Sequence, residues 1–309
     1  MKIKNVIEAI KNKEFFSLLH GKIYGESIIK SPNARVIENQ YRIYEKLFGR
    51  YKNFINEFES VEKQESSNYV WICWFQGIKQ APELVKACVN SVKKNMPDKN
   101  IVILTDENIA DYVQLPDYVI EKYNKGIIPK AHFSDAIRIE LLCKYGGIWI
   151  DSTVLCTSSN IPKYILEEPL FVYKSFDLYR TNELPTVASN WLIAAKTNNP
   201  ILLLTRELLF DYWKNEDKLV DYYIFHLFFA MATRKYKTEW EAIPAFNNHT
   251  PHTLMFELGK QYSEERWKQI EEMSVFHKLE RHTDYSDIQN SMYQHIIEKY
   301  GEQEIIDEK

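Results

Sequence analysis

"KAHFSDAIRIELLCKYGGIWIDSTVL", residues 130–155, decides how the whole chain is read. Ala136, Ile137, Ile139, Leu141, Leu142 and Cys143 supply the apolar surface of a mostly buried helix, with Ser134 as its expected N-cap and Gly146 and Gly147 as its stop. Ile148, Trp149 and Ile150 then read as a short apolar strand that delivers Asp151 at its carboxyl end, followed by Ser152 and Thr153. A carboxylate at the tip of a buried strand is costly unless a metal, a cation or hydrogen-bond donors compensate it. In open α/β sheets that end is also where ligands sit. Asp135 and Arg138, three apart on the helix, either face such a crevice together or form a local salt bridge. Asp151 has two readings as well. It is an acceptor for backbone N–H groups at the start of a loop, or, with Ser152 and Thr153, a ligand for a hard divalent cation whose shell phosphates would complete.

Working outward, "YVWICWF" (residues 69–75) is a β-rich apolar run and "APELVKACVNSVKKN" (81–95) an amphipathic helix with Pro82 near its first turn. "NIVILTDEN" (100–108) is a second strand ending in a polar loop. Strand, helix, strand implies a right-handed crossover and a parallel sheet. Before this unit, residues 1–66 predict a helical N-terminal appendage closing in the polar linker "FESVEKQESSN" (58–68), and residues 67–309 the main domain.

Composition narrows the function. Hydrophobic residues are 45% and charged residues 27%, which excludes disordered and collagen-like classes. A formal net charge of −4 gives no electrostatic reason to expect nucleic acid as a partner. Cys73, Cys88, Cys143 and Cys156 are scattered with no C-x-x-C pair, so a reducing cytoplasm is the expected setting. The first residues carry lysines where a signal peptide needs an apolar run, yet they are basic and apolar enough either to lie on an anionic membrane surface or to cap the domain. "YYIFHLFFAMA" (222–232) is too short for a membrane span and reads as core.

"FSDAIRIELLCKYGGIWIDSTV" resembles the S-D-x-x-R and Y-G-G-x-[YW]-x-D-x-[DT] signature of glycosyltransferases with a DXD sugar-nucleotide motif. The similarity is to the family 32-like group and especially its bacterial capsular polysaccharide synthesis branch. The resemblance covers residues 69–155, with weaker echoes to about residue 280. It implies a GT-A type, Rossmann-like α/β fold and a metal-dependent, UDP-sugar-using hexosyltransferase with Mn²⁺ or Mg²⁺ as cofactor. The implied course is retention at the anomeric carbon, and the implied acceptor is a saccharide, lipid-linked in the capsular branch. Residue by residue, it implies that Trp74 stacks on uracil with Gln76 beside it. Ser134, Asp135 and Arg138 would contact the donor sugar, and Trp149 would lie near the donor. Asp151 would be the first aspartate of the motif, with Thr153 where the second normally stands. Thr153 is the departure, since a hydroxyl brings no second charge to a metal.

In the carboxyl half, "TVASNWLIAAKTNNP" (186–200) reads as a strand and turn, and the resemblance puts Asn190 near the anomeric carbon. The resemblance further implies a histidine completing the metal shell and a lysine on the diphosphate, for which His277 and Lys278 in "SVFHKLERHTDY" (274–285) are preferred to His252. Trp71, Trp74 and Trp149 can equally be core residues, and at least one is expected to be. Two rivals stay open. One is an HAD-like phosphotransferase, which also begins on a strand ending in D-x-[DT] but has no use for the upstream S-D-x-x-R helix. The other is a non-catalytic nucleotide-sugar binder, to which Thr153 is the only pointer.

Overall fold

The computed structural model describes residues 31–60, 63–176 and 184–301. The long helix α1 (Pro32–Glu57) comes first, and the division of the chain into two compact units, residues 1–52 and 53–309, falls within it. Residues 1–30, on which the membrane-surface reading rests, lie outside the described residues. Then follow β1 (Tyr69–Cys73), α2 (Glu83–Asn95), β2 (Asn100–Leu104), α3 (Asp117–Asn124), α4 (Lys130–Tyr145), β3 (Gly147–Ile150) and β4 (Val154–Cys156). The chain continues through β5 (Leu170–Lys174), β6 (Ala188–Ala195), α5 (Pro200–Asn215), α6 (Ile224–Lys235), α7 (Glu264–Met273), β7 (Phe276–Lys278) and α8 (Met292–Tyr300), with shorter helical turns in the connections.

Five strands form one sheet in the order β2-β1-β3-β6-β5. β1 is parallel to β2 and β3, which is the expected parallel unit, and β6 closes on β3 antiparallel with Ile150 opposite Leu192. The result is a mixed α/β architecture with the expected parallel unit inside a mixed sheet. Strand alternation sorts the side chains. Val70, Ile72, Ile148 and Ile150 share a buried cluster with Val85, Val89 and Val92 of α2. Trp71 and Trp149, paired in register, point to the opposite face. Each fully buried aliphatic side chain contributes about 1.5–3 kcal/mol, so the central strands are held from both sides. Trp71 is completely buried and donates its indole N–H to the Gly146 carbonyl at 2.9 Å, which makes it a core tryptophan.

The helix α4 differs from expectation at its start. It begins one turn earlier, at Lys130, with Pro129 at the N-cap, so Ser134 lies inside the helix and caps nothing. Proline cannot continue a helix backwards but fits its entry, and the Pro129 carbonyl accepts from His132 and Phe133. The end is as expected: Gly146 and Gly147 have φ of 64° and 92°. At Gly147 a Cβ would stand 2.4 Å from the Tyr69 carbonyl oxygen, because β3 emerges hard against β1. Gly147→Ala should therefore cost about 3 kcal/mol or more from backbone strain and overpacking together, read from the midpoint of urea unfolding. A loss under about 0.5 kcal/mol would show that the strand tolerates the methyl group.

No helix among the described residues is long and apolar enough to cross a membrane. Ile224, Phe225, Leu227, Phe228 and Phe229 of "YYIFHLFFAMA" are buried in α6, as the core reading expects.

Candidate active site

At the carboxyl edge of β1 and β3 a crevice of about 520 Å³ opens, within the size range of small-molecule sites. The loop after β1 brings Trp74 and Gln76 to it, α4 brings Ser134, Asp135 and Arg138, and β3 with its exit brings Trp149, Asp151 and Thr153. β6 runs antiparallel, so its beginning lies at the same edge and contributes Asn190. The two-stranded sheet β4-β7 sets Lys278 opposite Val154 and so returns the distant chain to Asp151.

The centre is a bridge of charges. The Arg138 guanidinium contacts the Asp135 carboxylate through one nitrogen and Oδ1 of Asp151, at 3.0 Å, through the other. The Asn190 amide donates to Asp135 at 3.0 Å, and the Trp149 indole donates to Asp151 Oδ1 at 3.0 Å. Lys278 Nζ lies 3.4 Å from Asp151 Oδ2 and donates to the Thr153 hydroxyl at 2.5 Å. Both sequence alternatives for Asp135 and Arg138 thus hold together: they form a salt bridge, and they face the crevice.

These contacts set opposite carboxylate behaviours. Burial pushes the Asp135 carboxyl up to about 6, Arg138 opposing and Asp151 adding to the shift. Burial would also raise Asp151, but Lys278, Arg138 and the Trp149 hydrogen bond outweigh it and hold that carboxyl below its ordinary value. Asp151 therefore stays ionised while remaining partly open to the crevice, its side chain 27% exposed.

The aromatic residues divide by role. Trp74 is half-buried, lines the crevice and has the Arg281 guanidinium over its ring at 5.2 Å. Trp149 is buried beneath Arg138, 4.7 Å from its ring, so it orients Asp151 rather than offering a stacking face. His277 is not brought to the crevice. It is fully buried on the opposite side of β7 from Lys278, its ring nitrogen 3.4 Å from the Thr157 hydroxyl, because adjacent strand residues point to opposite faces. Burial pushes it down to about 4, so it is neutral at pH 7. The alternative, His252, contacts the Asn248 carbonyl and also lies outside the crevice lining.

Several lining residues went unrecognised in sequence, four of which shape or charge the crevice. Tyr222 and His226 form a wall where α6 begins, and Lys130 and Arg281 add positive charge. His226 sits in the stretch read purely as core, and a polar residue interrupting that apolar run was the available signal.

A hard divalent cation would meet donors here that are already engaged. Oδ1 of Asp151 already accepts from Arg138 and Trp149, Oδ2 faces the Lys278 ammonium, and the Thr153 hydroxyl is engaged by the same ammonium. Among the described residues, no group of three or more His, Cys, Asp or Glu side chains converges. A cation needs carboxylate oxygens facing open space, and here the oxygens face ammonium and guanidinium groups. The residues present do not fit a protein-held metal.

The fold and the crevice define an α/β protein with a polar, cation-rich ligand site at the carboxyl edge of its sheet. The chain belongs to the capsular polysaccharide synthesis protein family, whose family model matches residues 26–296. It is also similar to O-glycosyltransferase braB of Annulohypoxylon truncatum, 28% identical over 160 residues that make up 48% of this chain and 38% of that protein. The chain thus matches well under half the length of that relative. Among solved structures it is similar to PaToxG Glycosyltransferase, at TM-score 0.40 and 17% identity over 66% of this chain and 83% of that one. It is similar too to the glycosyltransferase GlyE of Streptococcus pneumoniae TIGR4, at TM-score 0.37 and 10% identity over 78% and 61%.

Proposed function

We propose that the chain is a glycosyltransferase that takes a hexose from a UDP-sugar and transfers it to a saccharide acceptor, lipid-linked in the proposed setting of bacterial surface polysaccharide assembly. The observation that carries this reading is the Asp135–Arg138–Asp151 bridge opening into a crevice beside Trp74. A fixed pair of carboxylates and a guanidinium can orient a polyol through directed hydrogen bonds, while a half-buried indole lining the crevice suits a flat base. Family membership supports the same direction.

Retention by front-face departure is the proposed course. Asp135 and Asp151 are the only carboxylates among the described lining residues, and Arg138 ties both, which leaves neither free as a covalent nucleophile. The same bonds on Asp151 disfavour a phosphotransferase that would attack through it.

The test is calorimetric titration of the full chain with UDP, followed by a UDP-release screen across common UDP-hexoses. Binding plus release from one donor supports the assignment. Binding with no release from any donor would make the chain a binder, and no binding would remove UDP as its ligand. Trp74→Ala should weaken UDP about 10-fold through lost stacking, and an unchanged affinity would return Trp74 to the core.

A further inference from the structure

A UDP-sugar carries two negative charges on its diphosphate and gains another as the sugar leaves, so a transferase must place positive charge there. The expected divalent metal has no suitable donor set among the described residues of this crevice. Positive charge is nonetheless present. Lys130, Arg138, Lys278 and Arg281 stand against Asp135 and Asp151 among the described lining residues, leaving a surplus of two that matches a diphosphate diester. Arg138 is committed to the two aspartates, so the surplus lies on the other three cations.

Lys278 is the best placed of them. Its ammonium lies between Asp151 Oδ2 and the hydroxyl of Thr153, the residue that stands at the second position of the motif. Two of its three N–H groups serve those contacts, which leaves one for a phosphate oxygen. Arg281, its guanidinium 5.2 Å from the Trp74 ring centroid, puts a second cation against the proposed base platform.

We infer that Lys278, assisted by Arg281, replaces the divalent metal, so that this site binds the nucleotide diphosphate and stabilises its departure without a metal. The inference rests on the glycosyltransferase reading. In the step itself, the bond from the anomeric carbon to the phosphate oxygen breaks and its electron pair stays on that oxygen. A bond forms from the acceptor hydroxyl oxygen to the same carbon, and the hydroxyl proton passes to the departing phosphate. Lys278 neutralises the charge that grows there.

The experiment is titration of the full chain with UDP and with UMP, in EDTA and in Mn²⁺, together with UDP release from the best donor in both buffers. Wild-type UDP affinity and turnover should agree within about 3-fold between the buffers. Lys278→Ala should lose about 10- to 100-fold in UDP affinity, as expected for one charge-assisted contact, while UMP affinity moves less than about 3-fold. Lys278→Arg should recover most of the loss. A gain above about 10-fold from Mn²⁺ in the wild type would overturn the inference and leave the transferase reading standing. So would a Lys278→Ala variant that loses UMP and UDP alike, since that is the mark of a structural role. Failure to bind UDP in either buffer would overturn both.

Discussion

Arg138→Met should destabilise the protein by about 3–5 kcal/mol and reduce sugar transfer about 1000-fold or more. Arg138 is buried and contacts two carboxylates, one of them the 93%-buried Asp135. Removing one partner of a buried ion pair leaves uncompensated charge, which is where the large penalty arises. Methionine preserves the apolar stem but loses the cation over the Trp149 ring, a further contribution of the order of 1 kcal/mol. The check is the urea midpoint of the single variant beside that of the double variant Asp135→Leu with Arg138→Met. The double variant should recover part of the loss, because the orphaned acid is gone. A single variant within about 1 kcal/mol of wild type would show that water reaches Asp135 freely and that the bridge is a surface contact. The proposed transfer should fall further than stability explains, since Asp135 and Asp151 both lose their common anchor.

Asp151→Asn should separate binding from turnover. The carboxylate positions Lys278 and Arg138, so its loss should cost about 100-fold in UDP release through misplacement of the groups proposed to meet the leaving diphosphate. UDP affinity should hold or rise slightly, because one negative charge has left the proposed anion site. The opposite pattern, a UDP affinity lowered more than about 10-fold in Mn²⁺ but unaltered in EDTA, would identify Asp151 as a metal ligand. The asparagine keeps the volume and one acceptor oxygen, which limits the structural cost.

The sequence by itself determined the elements whose causes are local. Apolar runs bounded by polar loops place β1, β2 and β3, and their alternation with α2 and α4 implies the parallel sheet. The glycine pair at 146–147 follows from the positive φ needed to leave α4 and enter β3 directly. The spacing of Asp135 and Arg138 fixes their contact within one helix, and the strand end fixes Asp151 at the ligand edge. Ser134 misled because a serine before an apolar run resembles a cap, whereas the rigid Pro129 five residues earlier sets the start of the helix.

Tertiary structure alone decided what meets Asp151 from afar. The antiparallel course of β6 turns Asn190 toward Asp135, and the pairing of β4 with β7 sends Lys278 in and His277 out. A shift of one residue in that pairing would exchange the last two, since successive strand side chains face opposite sides. The wall of Tyr222 and His226 likewise depends on where α6 docks rather than on its own periodicity. Local rules act over a few residues of chain, while strand register and helix docking join groups from 55 to 125 residues apart, and the Lys278 charge beside Asp151 was set by the second kind of constraint.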